Sequence, residues 1–381
     1  MHGVWTFDEK YKTAIVLREN YFKNNPKTGE KIDWYTDFYY PFLQKWAAIV
    51  RKACPLPKIV FVEPIPNEFC PESWTPERQI PNMVFSPHWY DLDALFRKEF
   101  GNFTVNVQSL SRGVFPLKTF FWGHPSARRN YGIQIRNLIE AGYKSLGERP
   151  VFIGETGVPM DMNKAEAFRT GNFTWQGRMM DALICALEQN LVGFTLWNYN
   201  PLNEDATGDQ WNGENFSWFS NYRARKIGSG TNEQGDSSLD QGGRILDTIV
   251  RPYPAKVAGI PLKFEYEVNR GEFTFEWARP NSSSSSSSTT TKNQNQHQMD
   301  ASASSSSSPS VKSPPLDGHP EITSRITEIF VPHQLVFGKK FVVAFDGAAQ
   351  GSQWWYDAAT QTLYVEQPDP ATTAMTTATA T

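Results

Sequence analysis

The sequence predicts an α/β chain: the C-terminal half of a TIM-type (β/α)8 barrel followed by a small antiparallel β-sandwich. Three observations predict it. Short apolar runs alternate with helical patterns across residues 1–225, and each run ends in polar or aromatic residues at its C-terminal end. Beyond residue 243 the hydrophobic period changes to strict alternation. Alternating strand and helix implies right-handed crossovers and a parallel sheet. Functional groups confined to the C-terminal strand ends point to the barrel, whose active site lies at that face.

The elements follow in order. YYPFLQKWAAIVRKA carries Phe42, Leu43, Trp46, Ile49 and Val50 at helical spacing. Residues 59–62 read as a strand leading into Glu63-Pro64, and residues 83–85 as a second leading into Ser86-Pro87-His88-Trp89-Tyr90-Asp91. Apolar runs of this length suit strands buried on both faces. RNYGIQIRNLIEAGYKSLG places Tyr131, Ile135, Leu138, Ile139 and Leu146 on one stripe and closes on Gly147. Residues 151–153 form the third strand, ending in Gly154-Glu155. Thr174 is placed to cap a helix bearing Met179, Met180, Leu183, Ile184 and Leu187. Residues 192–196 form the fourth strand, leading into Trp197-Asn198-Tyr199-Asn200. An eight-unit barrel needs roughly 250 residues, yet four units precede the change of texture near Asn221. The sequence is therefore expected to start after strand four of the barrel, with Met1 not the natural start of the complete protein.

Residues 226–243, rich in Gly, Ser and Asp, read as a flexible linker. Then Leu262, Phe264, Tyr266 and Val268 alternate with Lys263, Glu265 and Glu267; Asn269-Arg270-Gly271 turns the chain; Phe273, Phe275 and Trp277 face inward on the return. EIFVP, QLVF, KFVVAF, QWWY and TLYVE read as further short strands, which makes residues 244–369 a sandwich. A Ser-rich tract at 281–313 interrupts it and cannot bury a core, and the Thr- and Ala-rich tail at 370–381 reads as disordered.

Composition narrows the function. A net charge of −3 leaves no electrostatic footprint for nucleic acid. Cys54, Cys70 and Cys185 are too few and too scattered for a disulfide framework or a metal site, and they fit a reducing compartment. The expectation is an intracellular protein, in cytoplasm or vacuole, with peripheral membrane contact open and no transmembrane segment, since no run approaches 18 apolar residues. MHGVWTFDEK lacks the charged start and apolar core of a signal peptide.

Glu155 poses the chemical question, because a strand-end carboxylate is costly to desolvate unless it is paired. One reading pairs it with an arginine of the next unit. The other opens it to a ligand: such a carboxylate attacks a sugar's anomeric carbon when a second, protonated carboxyl lies about 5–5.5 Å away. His88 and Tyr90 are two apart on one strand end, so both face one side while Trp89 faces the other. An imidazole and a phenol converging there can orient a carboxylate and a sugar hydroxyl. Trp197 offers an indole face as a sugar platform, or plain packing. Asn198, Asn200, Asn212, Glu214 and Asn215 crowd the following loop, as sugar ligands or as solvated surface.

A His-Trp-Tyr run on one strand end, Gly-Glu on the next and Leu-Trp-Asn on the last resemble strands six, seven and eight of the glycoside hydrolase family 5 barrel. GETGVPMDMNKAEAFRTGNF, SPHWYDLDALF, FTLWNYNP and WNGENFSWFS are similar to one fungal branch, the endoglycoceramidase-related steryl-β-glucosidases and glucocerebrosidases. RPYPAKVAGIPLKFEYE and the sandwich resemble that branch's C-terminal domain. The resemblance implies a retaining β-glucosidase, free of metal and cofactor, that cuts glucose from a glycolipid. It makes Glu155 the nucleophile, Tyr90 the tyrosine that hydrogen-bonds it, His88 the active-site histidine and Trp197 the tryptophan of the sugar subsite. The family's acid/base is the Glu of an Asn-Glu-Pro on strand four, and the chain has none. By order, Glu63 and Glu68 fall in later positions, as supporting or substrate-loop residues. Two rivals stand beside this expectation: an endo-β-glucanase, against which the apolar segment at 115–122 (FPLKTFFW) argues by suiting a lipid aglycone, and a non-catalytic half-barrel binding module.

Overall fold

The computed structural model describes residues 3–25, 27–227, 240–278, 322–336, 338–347 and 350–368. The serine tract at 281–313, the tail at 370–381 and all but the ends of the linker lie outside the described residues. The chain divides into two units, Met1–Ile245 and Leu246–Thr381. Among the described residues, no helix is long and apolar enough to cross a membrane.

The first unit opens with an antiparallel hairpin, β1 (Trp5–Asp8) and β2 (Thr13–Val16). Asp8 fixes its turn by accepting from the amides of Lys10 and Tyr11 at 2.9 and 3.1 Å. Helix α1 (Tyr40–Ala53) buries Tyr40, Leu43 and Ala47 against Val60, Val62, Trp74, Met83 and Phe85. The expected stripe needs correction here: Leu43 is buried, but Phe42, Trp46 and Ile49 are exposed. The helix is apolar on two sides, and the Tyr40 side docks because its ring meets the fully buried Trp74 at 5.5 Å.

Next come β3 (Val60–Val62), β4 (Met83–Phe85) and the short helix α2 (Leu92–Arg97). An antiparallel pair, β5 (Phe103–Val105) and β6 (Phe120–Trp122), encloses α3 (Val107–Ser111). Helix α4 (His124–Leu146) leads to β7 (Phe152–Thr156). After it come α5 (Met162–Thr170), α6 (Thr174–Gln189), β8 (Gly193–Leu196) and α7 (Asn221–Ile227).

Strand β3 pairs parallel with β4, and β7 parallel with β8. Parallel bridges at Phe85–Val151 and His88–Glu155 join the two pairs, with the Gly154 amide donating to the Pro87 carbonyl at 3.0 Å. The order is thus β3-β4-β7-β8. Burial on both faces was the expectation for every strand; β4 meets it most nearly, while β3 exposes Phe61 and β8 exposes Thr195. These are the outer strands of the array, each with one neighbour in it. Helices α4 and α6 pack together, with Tyr131, Ile135 and Leu138 fully buried on α4. The start of α6 also differs from expectation. Thr174 lies within the first turn and Phe173 at the N-cap position makes no side-chain cap, while Asn172, just before it, accepts from the Thr174 amide and hydroxyl at 3.0 and 2.6 Å.

The second unit holds α8 (Leu246–Ile249), β9 (Tyr253–Lys256) and a hairpin of β10 (Ile260–Glu267) and β11 (Glu272–Ala278). Beyond them come β12 (Ile326–Phe330), α9 (His333–Val336), β13 (Gln353–Asp357) and β14 (Thr362–Glu366). Four strands form one antiparallel sheet in the order β13-β14-β12-β9, and the hairpin stands as its own pair. Phe264 faces Phe275 and Tyr266 faces Phe273 across the hairpin. Two expected strands are absent. QLVF falls largely in helix α9, and residues 340–345 form no strand. Phe341, Val343 and Phe345 nonetheless pack against the cluster of Ile329, Leu363 and Val365. What alternation cannot supply is a partner strand for hydrogen bonding.

Candidate active site

The strand end after β4 is pinned from its far side. Trp89 is 2% exposed and stands edge-on to Tyr131 at 4.9 Å. The Tyr131 hydroxyl donates to Asp91 at 2.6 Å, and Asp91 caps α2 by accepting from the Asp93 and Ala94 amides. Burial, then the Asp91 charge, pushes Tyr131 well above the usual phenol range, so it stays protonated and keeps donating. With Trp89 committed inward, the pleat turns His88 and Tyr90 to the opposite side.

Glu155 meets them there. Its side chain is 30% exposed, the Tyr90 hydroxyl donates to its Oε1 at 2.8 Å, and His88 Nδ1 lies 3.7 Å from the same oxygen. Burial first, then the bond and charge of Glu155, holds Tyr90 far above the ordinary tyrosine value, which keeps it a donor. The other imidazole nitrogen, Nε2, contacts the carboxylate of Glu63 at the end of β3. Glu63, His88 and Glu155 therefore form one line across three strand ends. Among the described residues, no arginine or lysine lies within salt-bridge distance of Glu155. The arginine-paired reading of this carboxylate is thereby overturned.

Two glycines let β7 approach its neighbours this closely. A Cβ on Gly154 would fall 2.2 Å from Ser86 Oγ, and one on Gly157 would fall 2.2 Å from the Trp197 carbonyl oxygen.

Trp197 follows β8, its amide donating to the Thr156 carbonyl at 2.7 Å. Its indole N–H donates to Glu214 at 3.0 Å, and Asn212 donates to the other oxygen of Glu214 at 3.2 Å. Asn198 is joined to Trp197 by a cis peptide bond, and its buried Oδ1 has no hydrogen-bond partner. Asn200 is committed to the loop at both ends of its amide: Nδ2 donates to the Asp209 carbonyl and Oδ1 accepts from the Leu202 amide. Asn215 is buried beside Arg244 and Asn203. These last two asparagines brace the loop, where the sequence left them open between sugar ligands and solvated surface.

Glu68 lines a cavity of about 370 Å³ together with Asn67, Phe69, Tyr90, Leu92 and Arg112. Asn67 was not singled out by sequence. It sits at a φ of 60°, and its side-chain oxygen accepts from the Tyr90 amide at 2.9 Å. The signal was there: asparagine after proline, just past a strand, is a common way to take the left-handed conformation. Arg112, stacked over Phe69 at 3.7 Å, is far off in sequence and carried no such signal. Among the described residues, no group of three or more His, Cys, Asp or Glu side chains is placed to hold a metal ion.

The arrangement offers an anchored carboxylate open on one side, a phenol donor to it, and an indole joined to a second carboxylate. That combination suits attack on a polyhydroxylated ligand. Residues 251–377 match the glycoside hydrolase family 5 C-terminal domain. The chain is 47% identical over 282 residues to a glucosylceramidase of Cryptococcus neoformans, covering 73% of this chain and 38% of that protein. It is 40% identical over 281 residues to a glucosylceramidase of Rhizopus delemar, covering 72% and 41%. An ergosteryl-beta-glucosidase of Saccharomyces cerevisiae is 26% identical over 225 residues, covering 58% and 28%. The crystal structure of Cryptococcus neoformans sterylglucosidase 1 superposes with a TM-score of 0.68 at 21% identity, over 97% of this chain and 46% of that one. The chain thus spans less than half the length of these relatives.

Proposed function

The chain belongs to glycoside hydrolase family 5, and on that premise we propose that it forms part of a retaining β-glucosidase acting on steryl glucosides or glucosylceramide. In this reading the strand array β3-β4-β7-β8 is the C-terminal half of a (β/α)8 barrel, and the second unit is a β-sandwich. The observation that carries it is Glu155 itself: partly exposed, hydrogen-bonded by Tyr90, and held without a guanidinium partner.

Glu155 is the nucleophile. Tyr90 fixes which oxygen points away from the phenol and stays protonated throughout. His88 lines the same side, its orientation set by Glu63. Trp197 floors the glucose subsite, and Glu214, aligned by the indole N–H and Asn212, takes glucose hydroxyls. Phe69 and Leu92 in the neighbouring cavity provide apolar surface for the aglycone. Retention also needs a proton donor across the scissile bond. Glu63 is engaged by His88 and Glu214 by Trp197, and with no Asn-Glu-Pro in the sequence none of the carboxylates named here is assigned as that donor.

The test exploits that division of labour. A β-glucoside with a dinitrophenyl leaving group needs no acid to depart, and fluorine beside the anomeric carbon slows release of the covalent intermediate. Incubation followed by peptide mass mapping should find the sugar on Glu155, with none on Glu155→Gln. Labelling of Glu63 or Glu214, or none at all, would overturn the assignment. Release of glucose from ergosteryl glucoside and from glucosylceramide by the whole protein then decides the aglycone.

A further inference from the structure

We propose that residues 110–118, from the last two residues of α3 to the approach to β6, are a membrane-insertion loop that docks on an anionic lipid surface. Every residue in this stretch is exposed. Four of them are apolar: Leu110, Val114, Phe115 and Leu117, at 38%, 39%, 63% and 67% exposure. A run of this kind on a soluble surface marks an interaction site.

The loop is preformed. Its backbone closes on itself through Gly113 to Leu110 and Val114 to Ser109, both at 3.1 Å, and Lys118 to Phe115 at 2.9 Å. Its base is clamped by the Asn106 amide on the carbonyl of buried Thr119 at 2.7 Å. Apolar side chains held out on a fixed frame lose little conformational freedom when a second phase buries them.

Charge selects the partner. The chain carries a net −3, yet residues 100–139 contain Arg112, Lys118, Arg128, Arg129 and Arg136 and no Asp or Glu. Arg128 is spent on Asp181; Lys118 lies exposed in the loop, and Arg112, also exposed, donates to the Gln108 carbonyl at 2.6 Å and stacks on Phe69. Exposed aromatic and aliphatic side chains flanked by basic ones suit an interface with anionic lipid headgroups. Arg112 also lines the cavity beside Tyr90. On the glycolipid reading above, this continuity lets the aglycone stay in the bilayer while the sugar reaches Glu155. The loop's affinity for lipid does not depend on that reading.

Flotation of the full chain with phosphatidylcholine vesicles, with and without phosphatidylserine and free of glycolipid, tests it. The chain should float with the anionic vesicles, and less so as salt rises. Phe115→Ser combined with Leu117→Ser should weaken partitioning about 100-fold, and Lys118→Glu about tenfold. Hydrogen exchange at 110–118 should slow on the vesicles. The same double variant should keep its circular dichroism and its covalent trapping at Glu155. Phe42→Ser with Trp46→Ser, on the exposed side of α1, should float like the parent. Failure of the parent to float, an unaffected loop variant, or loss of binding in the α1 variant would each overturn the proposal. Flotation without trapping removes the glucosidase reading and leaves the loop assignment standing.

Discussion

Arg244→Met probes what holds the candidate site's loop in shape. The Arg244 side chain is fully buried, donates to Asp205, to Asn215 Oδ1 at 3.1 Å and to the Ser217 carbonyl at 2.8 Å, and lies 4.7 Å over the Phe168 ring. Burial lowers its basicity, and the Asp205 bond and charge recover part of that. Methionine fills the space but leaves Asp205, only 12% exposed, short of its main partner. Breaking a buried pair from one side costs about 3–5 kcal/mol. Arg223 at 3.0 Å remains beside Asp205, so the low end, about 3 kcal/mol, applies. For a unit of this size that is roughly 6–12 °C in Tm. Scanning calorimetry, backed by urea titration, measures it. Adding Asp205→Asn to the variant should recover part of the loss, because the stranded charge is then gone. A Tm change under about 2 °C, or strictly additive single variants, would refute the reasoning. Affinity for a basic glucose mimic should fall as well, since Asn203, Asp209 and Asn215 brace the same loop that presents Glu214.

Three further outcomes are expected. Tyr90→Phe removes a bond to a charged acceptor worth about 1.5–3 kcal/mol, so covalent trapping at Glu155 should slow roughly 10- to 100-fold with Tm nearly unchanged; an unchanged trapping rate would remove Tyr90 from the site. Gly157→Ala drives a Cβ into the Trp197 carbonyl and should cost about 1–3 kcal/mol or more in urea titration, while Gly101→Ala, which meets open space, should be neutral. Acid should destabilise the first unit through Asp205. Its burial raises the carboxyl pKa, but the Arg244 hydrogen bond and charge lower it further, so the net native value is depressed. The stabilisation is therefore present above the ordinary Asp pKa of about 3.9 and is lost as pH falls toward the native value. Tm measured down through that window should drop more steeply in the parent than in Arg244→Met.

Local pattern alone carried the parallel strands, the helices between them and the position of Glu155, because an apolar run, a helical stripe and a strand-end carboxylate are all short-range signals. The His88–Tyr90 convergence was legible for the same reason: side chains two apart on a strand share a face. Which side of α1 is buried was not legible, since the helix is apolar on two sides and Trp74, supplied from elsewhere, made the choice. Nor could alternation say that residues 340–345 pack into the second unit's core without pairing as a strand. The roles within the 198–220 loop also waited for the tertiary structure. Asn200, Glu214 and Asn215 look alike on paper, yet Glu214 meets the indole of Trp197 while the two asparagines are consumed by Asp209, Leu202, Asn203 and Arg244. Sequence fixes which polar groups are available, and only the folded chain decides which of them are already satisfied and which are left to meet a ligand.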